Sequence, residues 1–262
     1  MTYNIYRGFH SKKHVFEPER LALAQQIVVD ENPDVLCLTE ACYGGLNKHG
    51  ISMEYQNLFK FPFGCWGGYN KFNGGDEGGN CLLSKYPFQA EVVAIGEKGA
   101  IRGRINLDDK VLHLDVVHPS VDWSDADKLV KMQPLLSSRE MPYVMTGDFN
   151  ALSPQDHYDR EHLVWECRRF EGSNAEAFVD DLLQRNFVTE ILAWGLRDGF
   201  ENPVKRVSTV PTRMKYGEAL QGMRIDYFFI SKDISVEDAY VLKNDKTDCA
   251  SDHYPICAIV TL

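Results

Sequence analysis

Residues 141–154, MPYVMTGDFNALSP, constrain the fold of this chain more than any other stretch. A short apolar run ends in Asp148 and Asn150, and the turn-forming Ser153 and Pro154 follow. On an extended chain, residues two apart point to one side, so Asp148 and Asn150 can address one point while Phe149 turns into packing. A hard cation, or a water about to attack, suits two oxygen-bearing groups so placed. The same residues also suit a turn in which Asp and Asn bond the local backbone. The spacing alone leaves both readings open.

The rest of the chain places more polar residues at the ends of apolar runs. Residues 2–6 read as a first strand carrying Asn4, and a polar loop follows through His14. Leu21, Ala24, Ile27 and Val28 recur at helical spacing over 17–30, and Asn32-Pro33 stops that helix. Residues 34–39 form a nearly continuous apolar run, the pattern of a buried strand, with Glu40 at its end. Residues 63–79 are crowded with glycine, asparagine and aromatic side chains, which predicts a long loop or hairpin before a strand over 80–84. Tyr69, Phe72 and Asn80 there are candidates to touch substrate. No Lys-Ser or Lys-Thr follows these glycines, which excludes a phosphate-cradling nucleotide loop.

Residues 92–95, 100–107 and 111–117 predict successive antiparallel strands, with His118 closing the third. A helix is expected over 123–138 on Leu129, Met132, Leu135 and Leu136. Residues 156–199 are charged and helical, anchored by Phe178, Leu182 and Leu183. Strands are expected over 206–210, 224–230, 236–242 and 256–262. Asn4, Glu40, His118 and Asp148 therefore sit where rigid strands run out into loops, the usual station of functional groups. Helices flanking strand blocks, then a strand-rich second half, argue for a layered α/β domain.

The formal net charge of −10 weighs against tight nonspecific binding to long duplex nucleic acid, whose affinity comes from neutralised phosphates. A local basic lining could override it, from Arg7 with Lys12 and Lys13, Lys98 with Arg102 and Arg104, or Arg213 with Lys215. The seven cysteines, an odd number without metal-knuckle spacing, read as reduced cytoplasmic thiols that mostly fill the core. No apolar run reaches membrane-spanning length, and no secretory pattern follows Met1.

Six stretches taken together resemble the endonuclease/exonuclease/phosphatase family, the metal-dependent phosphoesterases typified by DNase I and the apurinic endonucleases. They are Thr2-Tyr3-Asn4-Ile5, Leu38-Thr39-Glu40, Asp115-Val116-Val117-His118, Gly147-Asp148-Phe149-Asn150, Arg224-Ile225-Asp226-Tyr227 and Ser251-Asp252-His253-Tyr254-Pro255. They span almost the whole chain, which favours a single domain over 1–262 with a charged helical insertion at about 156–199. The resemblance implies an α/β fold, a four-layer α/β/β/α sandwich of two mainly antiparallel sheets flanked by helices. It implies Mg²⁺ or Mn²⁺ held by Glu40, Asn4 and Asp252. Asp148 would position the attacking water, Asn150 would bond a phosphoryl oxygen, and His118 would contact the phosphate and protonate the leaving group. His253 would serve as general base or electrostatic partner, oriented by Asp226. Lys98, Arg7 and Asn80 are expected to bind substrate.

Two positions depart from the family pattern. Tyr6 stands where the apurinic endonucleases carry a second acidic residue after the first Asn, which favours one metal over two. Lys98 replaces an arginine common in the family, and its point charge cannot form a bidentate phosphate fork. The first expected activity is a phosphodiesterase or nuclease acting on DNA or RNA. The alternative is hydrolysis of a small phosphorylated molecule or phospholipid head group, such as an inositol phosphate or sphingomyelin, which the acidic balance favours. A third reading, a silent binding module of the same fold, is opposed by intact Glu40, Asp148, Asn150, Asp226 and His253.

Overall fold

The computed structural model describes residues 1–13, 15–41, 51–71, 77–218 and 220–262. In chain order its elements are β1 (Thr2–Asn4), α1 (Tyr6–Phe9), α2 (Pro18–Glu31), β2 (Val35–Thr39), α3 (Ile51–Phe59), β3 (Phe63–Lys71) and β4 (Glu77–Ser84). Next come β5 (Phe88–Ile95), β6 (Lys98–Leu107), β7 (Lys110–Val117), α4 (Asp125–Ser137) and β8 (Tyr143–Asp148). Three helices follow, α5 (Arg160–Glu171), α6 (Ala175–Leu182) and α7 (Asn186–Ala193), then the short β9 (Arg197–Asp198) and α8 (Arg213–Tyr216). The chain closes with β10 (Asp226–Ile230), β11 (Ser235–Val241), α9 (Thr247–Ala250) and β12 (Ile256–Thr261).

Local chemistry sets several of these boundaries. Pro18 opens α2, where its fixed φ suits the first turn, and Leu21, Ala24, Ile27 and Val28 form the buried face. The helix stops where Asn32 turns left-handed at φ 47° and its N–H bonds Val28 O at 2.9 Å. α4 begins two residues later than spacing predicts, because the Ser124 hydroxyl accepts the Asp127 N–H at 3.2 Å.

The strands form two six-stranded sheets, ordered β11-β12-β1-β2-β4-β3 and β5-β6-β7-β8-β10-β9. Each contains one parallel pair, β1/β2 in the first and β7/β8 in the second, and all other neighbours are antiparallel. Alternation along the strands then builds four layers. Cys37, Leu82 and Ile256 of the first sheet meet Ile101, Leu114, Val116 and Val144 of the second in an inter-sheet core. On the outside of the first sheet, Leu36 and Leu38 pack on α2 and α3 through Ile27, Val28 and Phe59. On the outside of the second, Tyr143, Met145 and Phe229 pack on α4 and α7 through Met132, Leu135, Phe187 and Ile191.

The same parity turns Thr2 and Asn4 inward from β1 and Thr146 and Asp148 inward from β8. The Thr2 and Thr146 hydroxyls meet at 2.6 Å between the sheets. Gly147 lies between these inward residues at φ 145°, so close to β7 that a Cβ there would be 1.9 Å from Val117 O.

The helices of the charged segment divide between two clusters. α7 joins the outer layer, whereas α5 and α6 enclose their own core, in which Leu163, Val164, Val179 and Leu182 meet Val210, Met223 and Ile225. Arg224, 1% exposed, bolts this part on, donating to both oxygens of Asp156 at 2.9 Å and to Asp198 at 2.7 Å. The six described cysteines are unpaired, and Cys42 lies outside the described residues. Among the described residues no helix is long and apolar enough to cross a membrane.

Some expectations fail for identifiable reasons. Residues 206–210 form no strand: Pro211 has no N–H to extend a ladder, and only an isolated bridge pairs Val210 with Met223. Of the two readings open for the glycine-rich stretch, the β3/β4 pairing makes it the hairpin. The strand bearing Asp148 ends there, so Asn150 is not an extended neighbour on the same pleat. The helix α3 carries no pattern singled out above.

Replacing Gly147 by alanine is expected to destabilise the protein by about 3 kcal/mol or more, because backbone must move. Arg224→Met, which strands two buried carboxylates, should cost about 3–5 kcal/mol. Urea denaturation measures both, and unchanged midpoints would show that these contacts carry no weight.

Candidate active site

Six strand ends deliver the site. The β1/β2 register sets Asn4 beside Thr39, so Asn4 and Glu40 emerge at one edge of the first sheet. The β7/β8 register sets Val117 beside Gly147, so His118 and Asp148 emerge together from the second. Asp226, opening β10, pairs with Asp148 across the ladder, and His253 enters just before β12, the antiparallel neighbour of β1.

These groups meet. Asn4 Nδ2 donates to Asp148 Oδ2 at 3.0 Å and Glu40 Oε1 at 3.2 Å, and lies 3.4 Å from His253 Nε2. His253 Nδ1 contacts Asp226 Oδ2 at 2.9 Å, and its Nε2 is 3.6 Å from Asp148 Oδ2. His118 Nε2 approaches the same Asp148 oxygen at 3.5 Å. The Arg7 N–H donates to Glu40 Oε2 at 2.9 Å. Asp252 accepts from Lys215 Nζ at 3.0 Å through Oδ2, while its buried Oδ1 has no hydrogen-bond partner among the described residues.

Asn150 reaches the cleft by the turn geometry rather than the strand geometry. Its backbone adopts φ 47°, its N–H bonds Asp148 Oδ1 at 2.9 Å, and its side chain donates to Pro119 O at 3.1 Å. Phe149 does turn into the core, edge-on to Phe229 at 4.9 Å. Tyr6, Arg7 and Glu40 are also left-handed, so four residues bordering the cleft hold a backbone conformation that costs non-glycine residues energy.

Burial and mutual charge divide the ionisable groups. Burial pushes the Asp148 carboxyl up to about 7, with Asp226 and Glu40 adding to the rise and His253 opposing it. Burial opposes charge on His253, but Asp226 and Asp148 outweigh it and hold the imidazole up at about 10. Burial, then Lys98 and His253, hold His118 well below its ordinary value. One histidine is therefore the cation of the site and the other its neutral partner.

The cleft has a volume of about 650 Å³, and Arg7, Glu40, Lys98, His118, Asp148, Asn150, Asp252 and His253 line it. Asn80 does not line it. Buried between the sheets, it donates to Gly99 O at 3.0 Å and Val116 O at 3.4 Å, tying together strands next to Lys98 and His118. Phe72 lies outside the described residues, as does the Tyr69 side chain. Arg102 faces away, forked onto Asp115 at 3.0 and 2.8 Å.

Sequence reasoning did not single out the contact from Lys128 Nζ to Asn150 O at 2.6 Å. Lys128 stands four residues before Met132 and seven before Leu135, on the buried stripe of α4, and that misplaced charge was a readable signal. Ser251, whose hydroxyl bonds Asn4 O at 2.7 Å, carried no signal beyond its motif.

The donor set suits a hard divalent cation. Glu40 offers carboxylate oxygens at the cleft, and the unsatisfied Asp252 Oδ1 is the kind of buried atom a cation satisfies. Asn4 presents its amide nitrogen to Glu40, and its oxygen accepts the Tyr6 N–H at 3.0 Å, so ligation by Asn4 would require the amide to turn over. Asp148, Asp226 and His253 bring ligand-type atoms within 4.8 Å of one another. Asp226 is engaged at His253 Nδ1, however, and that trio forms a hydrogen-bonded acid/imidazole chain.

The sequence model described as the Endonuclease/Exonuclease/phosphatase family matches residues 1–253. Comparison with curated proteins gave no match. Among solved structures, the chain is similar to an endonuclease/exonuclease/phosphatase from Beutenbergia cavernae, at TM-score 0.69 and 18% identity over 100% of this chain and 70% of that one. It is also similar to an AP endonuclease from Archaeoglobus fulgidus (TM-score 0.64, 15% identity, 100% and 98% covered). A mannosyl-6-phosphatase from Bacteroides thetaiotaomicron gives TM-score 0.62, 14% identity, and 100% and 98% coverage. At such identities the likeness establishes the fold.

The folded value of His253 lies above its unfolded value of about 6.5. The group therefore adds stability that is complete below about pH 6.5 and is lost as pH rises through about 10. In metal-free protein, the His253 ring should remain protonated at about pH 8, and Asp226→Asn should lower its midpoint by more than about one unit. Nuclear magnetic resonance of the ring protons reads both, and an unmoved midpoint would remove Asp226 as the countercharge.

Proposed function

We propose, from the premise that this chain belongs to the endonuclease/exonuclease/phosphatase family, that it is a divalent-metal-dependent phosphoester hydrolase. The observation that carries this reading is the contact of Asn4 with Glu40, Asp148 and His253, with Asp226 behind His253. Residues from both sheets and both ends of the chain supply an acid, a charged imidazole and hard oxygen ligands at one point.

Asp148 is the group suited to orient water and take its proton, since burial brings it near neutrality while Asn4 and the Asn150 N–H fix its two oxygens. The His253 imidazolium, balanced by Asp226, offers fixed positive charge to the phosphoryl group as negative charge develops. Lys98 and Arg7 add charge on the cleft wall. As the water oxygen bonds phosphorus and the ester P–O bond breaks, Asp148 takes the proton of the attacking water and the departing oxygen takes its proton from solvent. His118, held neutral, hydrogen-bonds the phosphate instead of serving as its acid. Glu40 and Asp252 would hold Mg²⁺ or Mn²⁺, which when bound supplies charge on the phosphoryl oxygens and polarises water. Asn4 then acts chiefly as the donor that orients Asp148 and Glu40. Lys215 already neutralises one oxygen of Asp252, which together with Tyr6 favours a single cation.

Hydrolysis of bis(4-nitrophenyl) phosphate or 4-nitrophenyl phosphate should depend on Mg²⁺ or Mn²⁺ and disappear with chelator. Glu40→Ala, Asp148→Ala and His253→Ala should each lower kcat/KM by about three orders of magnitude while circular dichroism stays unchanged. Wild-type rates in these variants would end the proposal.

A further inference from the structure

The cleft has a wall that phosphoester hydrolysis does not require. Phe178, Leu182, Val210, Pro211, Met223 and Ile225 line it beside the polar floor. Leu182, Val210, Met223 and Ile225 stay 8–9% exposed although they belong to the core of α5 and α6. Their open edges face the same space as Asp148 and His253.

The wall is built rigidly onto the site. Ile225 immediately precedes Asp226, and Ile225 O accepts the Phe149 N–H at 2.8 Å. The Thr209 hydroxyl accepts the N–H groups of Ile225 and Asp226 at 3.1 and 3.3 Å, and Thr209 O accepts the Tyr254 N–H at 2.8 Å. Val210 and Met223 exchange backbone bonds at 2.9 and 2.7 Å. Gly222 (φ 67°) makes that approach attainable, since a Cβ would stand 1.9 Å from Val210 O. An apolar surface so fixed relative to the reacting groups binds without the cost of ordering.

Charge limits what else the ligand can be. Among the described residues the cleft is lined by four cations, Arg7, Lys98, Lys215 and the His253 imidazolium, against five acids, Glu40, Asp122, Asp148, Glu171 and Asp252. Lys215 is already paired with Asp252. A strand with many phosphates needs many cations to neutralise it, whereas a single phosphate needs only the floor.

Building on the hydrolytic reading above, we infer that the substrate is a small phosphoester with one phosphate and an apolar alcohol, aliphatic or aromatic, lying against Leu182, Val210, Met223 and Ile225. Water supplies the oxygen that joins phosphorus, the alcohol leaves with a proton, and phosphate remains.

The test follows release of phosphate from glycerol, butyl, hexyl, octyl and phenyl phosphates by the Mg²⁺- or Mn²⁺-loaded enzyme, beside cleavage of a single-stranded oligonucleotide. The expected kcat/KM rises about two- to fourfold per methylene until the wall is covered. Met223→Gln should lower the octyl ester by about tenfold and leave glycerol phosphate unchanged, the latter rate also certifying the fold. Should that variant not fold, Val210→Thr, of the same shape with a hydroxyl added, should give the same split. Equal rates across the series, preference for the oligonucleotide, or equal losses on octyl and glycerol esters would overturn the apolar subsite and leave hydrolysis standing. No turnover of any substrate would overturn the hydrolytic reading, and the subsite with it.

Discussion

The Thr2–Thr146 hydrogen bond, 2.6 Å across the sandwich, is the contact on which the site depends. It joins the central strands of two sheets whose interface is mostly non-directional apolar packing, with Asn80 adding bonds to Gly99 and Val116. Two residues further along each strand, on the same inward faces, stand Asn4 and Asp148, and they too are bonded, at 3.0 Å. Dispersion and burial could bring the sheets together in several sliding registers. Paired hydroxyls at fixed separation select one, and with it the distance between the amide and the carboxylate.

Each sheet has one parallel pair, and both pairs end at this edge, so four groups leave adjacent strands in the same direction. What they meet is a cluster that the interior would reject singly. Asp148, Asp226, His118 and His253 are all buried, and each is tolerable because the others bond or balance it. The left-handed backbones of Tyr6, Arg7, Glu40 and Asn150 add strain to the same edge. Both costs are carried by the rigid sheets behind them, where Gly147 permits β7 and β8 to close up.

The shared fold does not by itself shape the apolar side of the cleft. Its polar floor is built from strand ends common to the whole sandwich, whereas the facing wall comes from α6 and the segment around the Val210–Met223 bridge. That wall is braced by the Arg224 contacts with Asp156 and Asp198, a buried charge cluster that directly precedes Ile225 in the chain.

The sequence by itself determined the strand ends. Apolar runs bounded by Asn4, Glu40, His118 and Asp148 are local patterns, and burial of a strand leaves a readable trace in composition. It also determined the chemical types in the site, because each motif is a few contiguous residues. Only the tertiary structure decided that Asn150 enters through a turn, that Asn80 ties the sheets instead of facing the cleft, and that Asn4 presents nitrogen to Glu40. It alone decided that residues 206–210, though strand-like, form no strand and bring Val210 to the cleft wall. Period and propensity report which face of an element is buried, not what the opposite face meets: Asn80 depends on Val116 and Asn4 on Glu40 and His253, partners distant in the sequence whose positions no local pattern encodes.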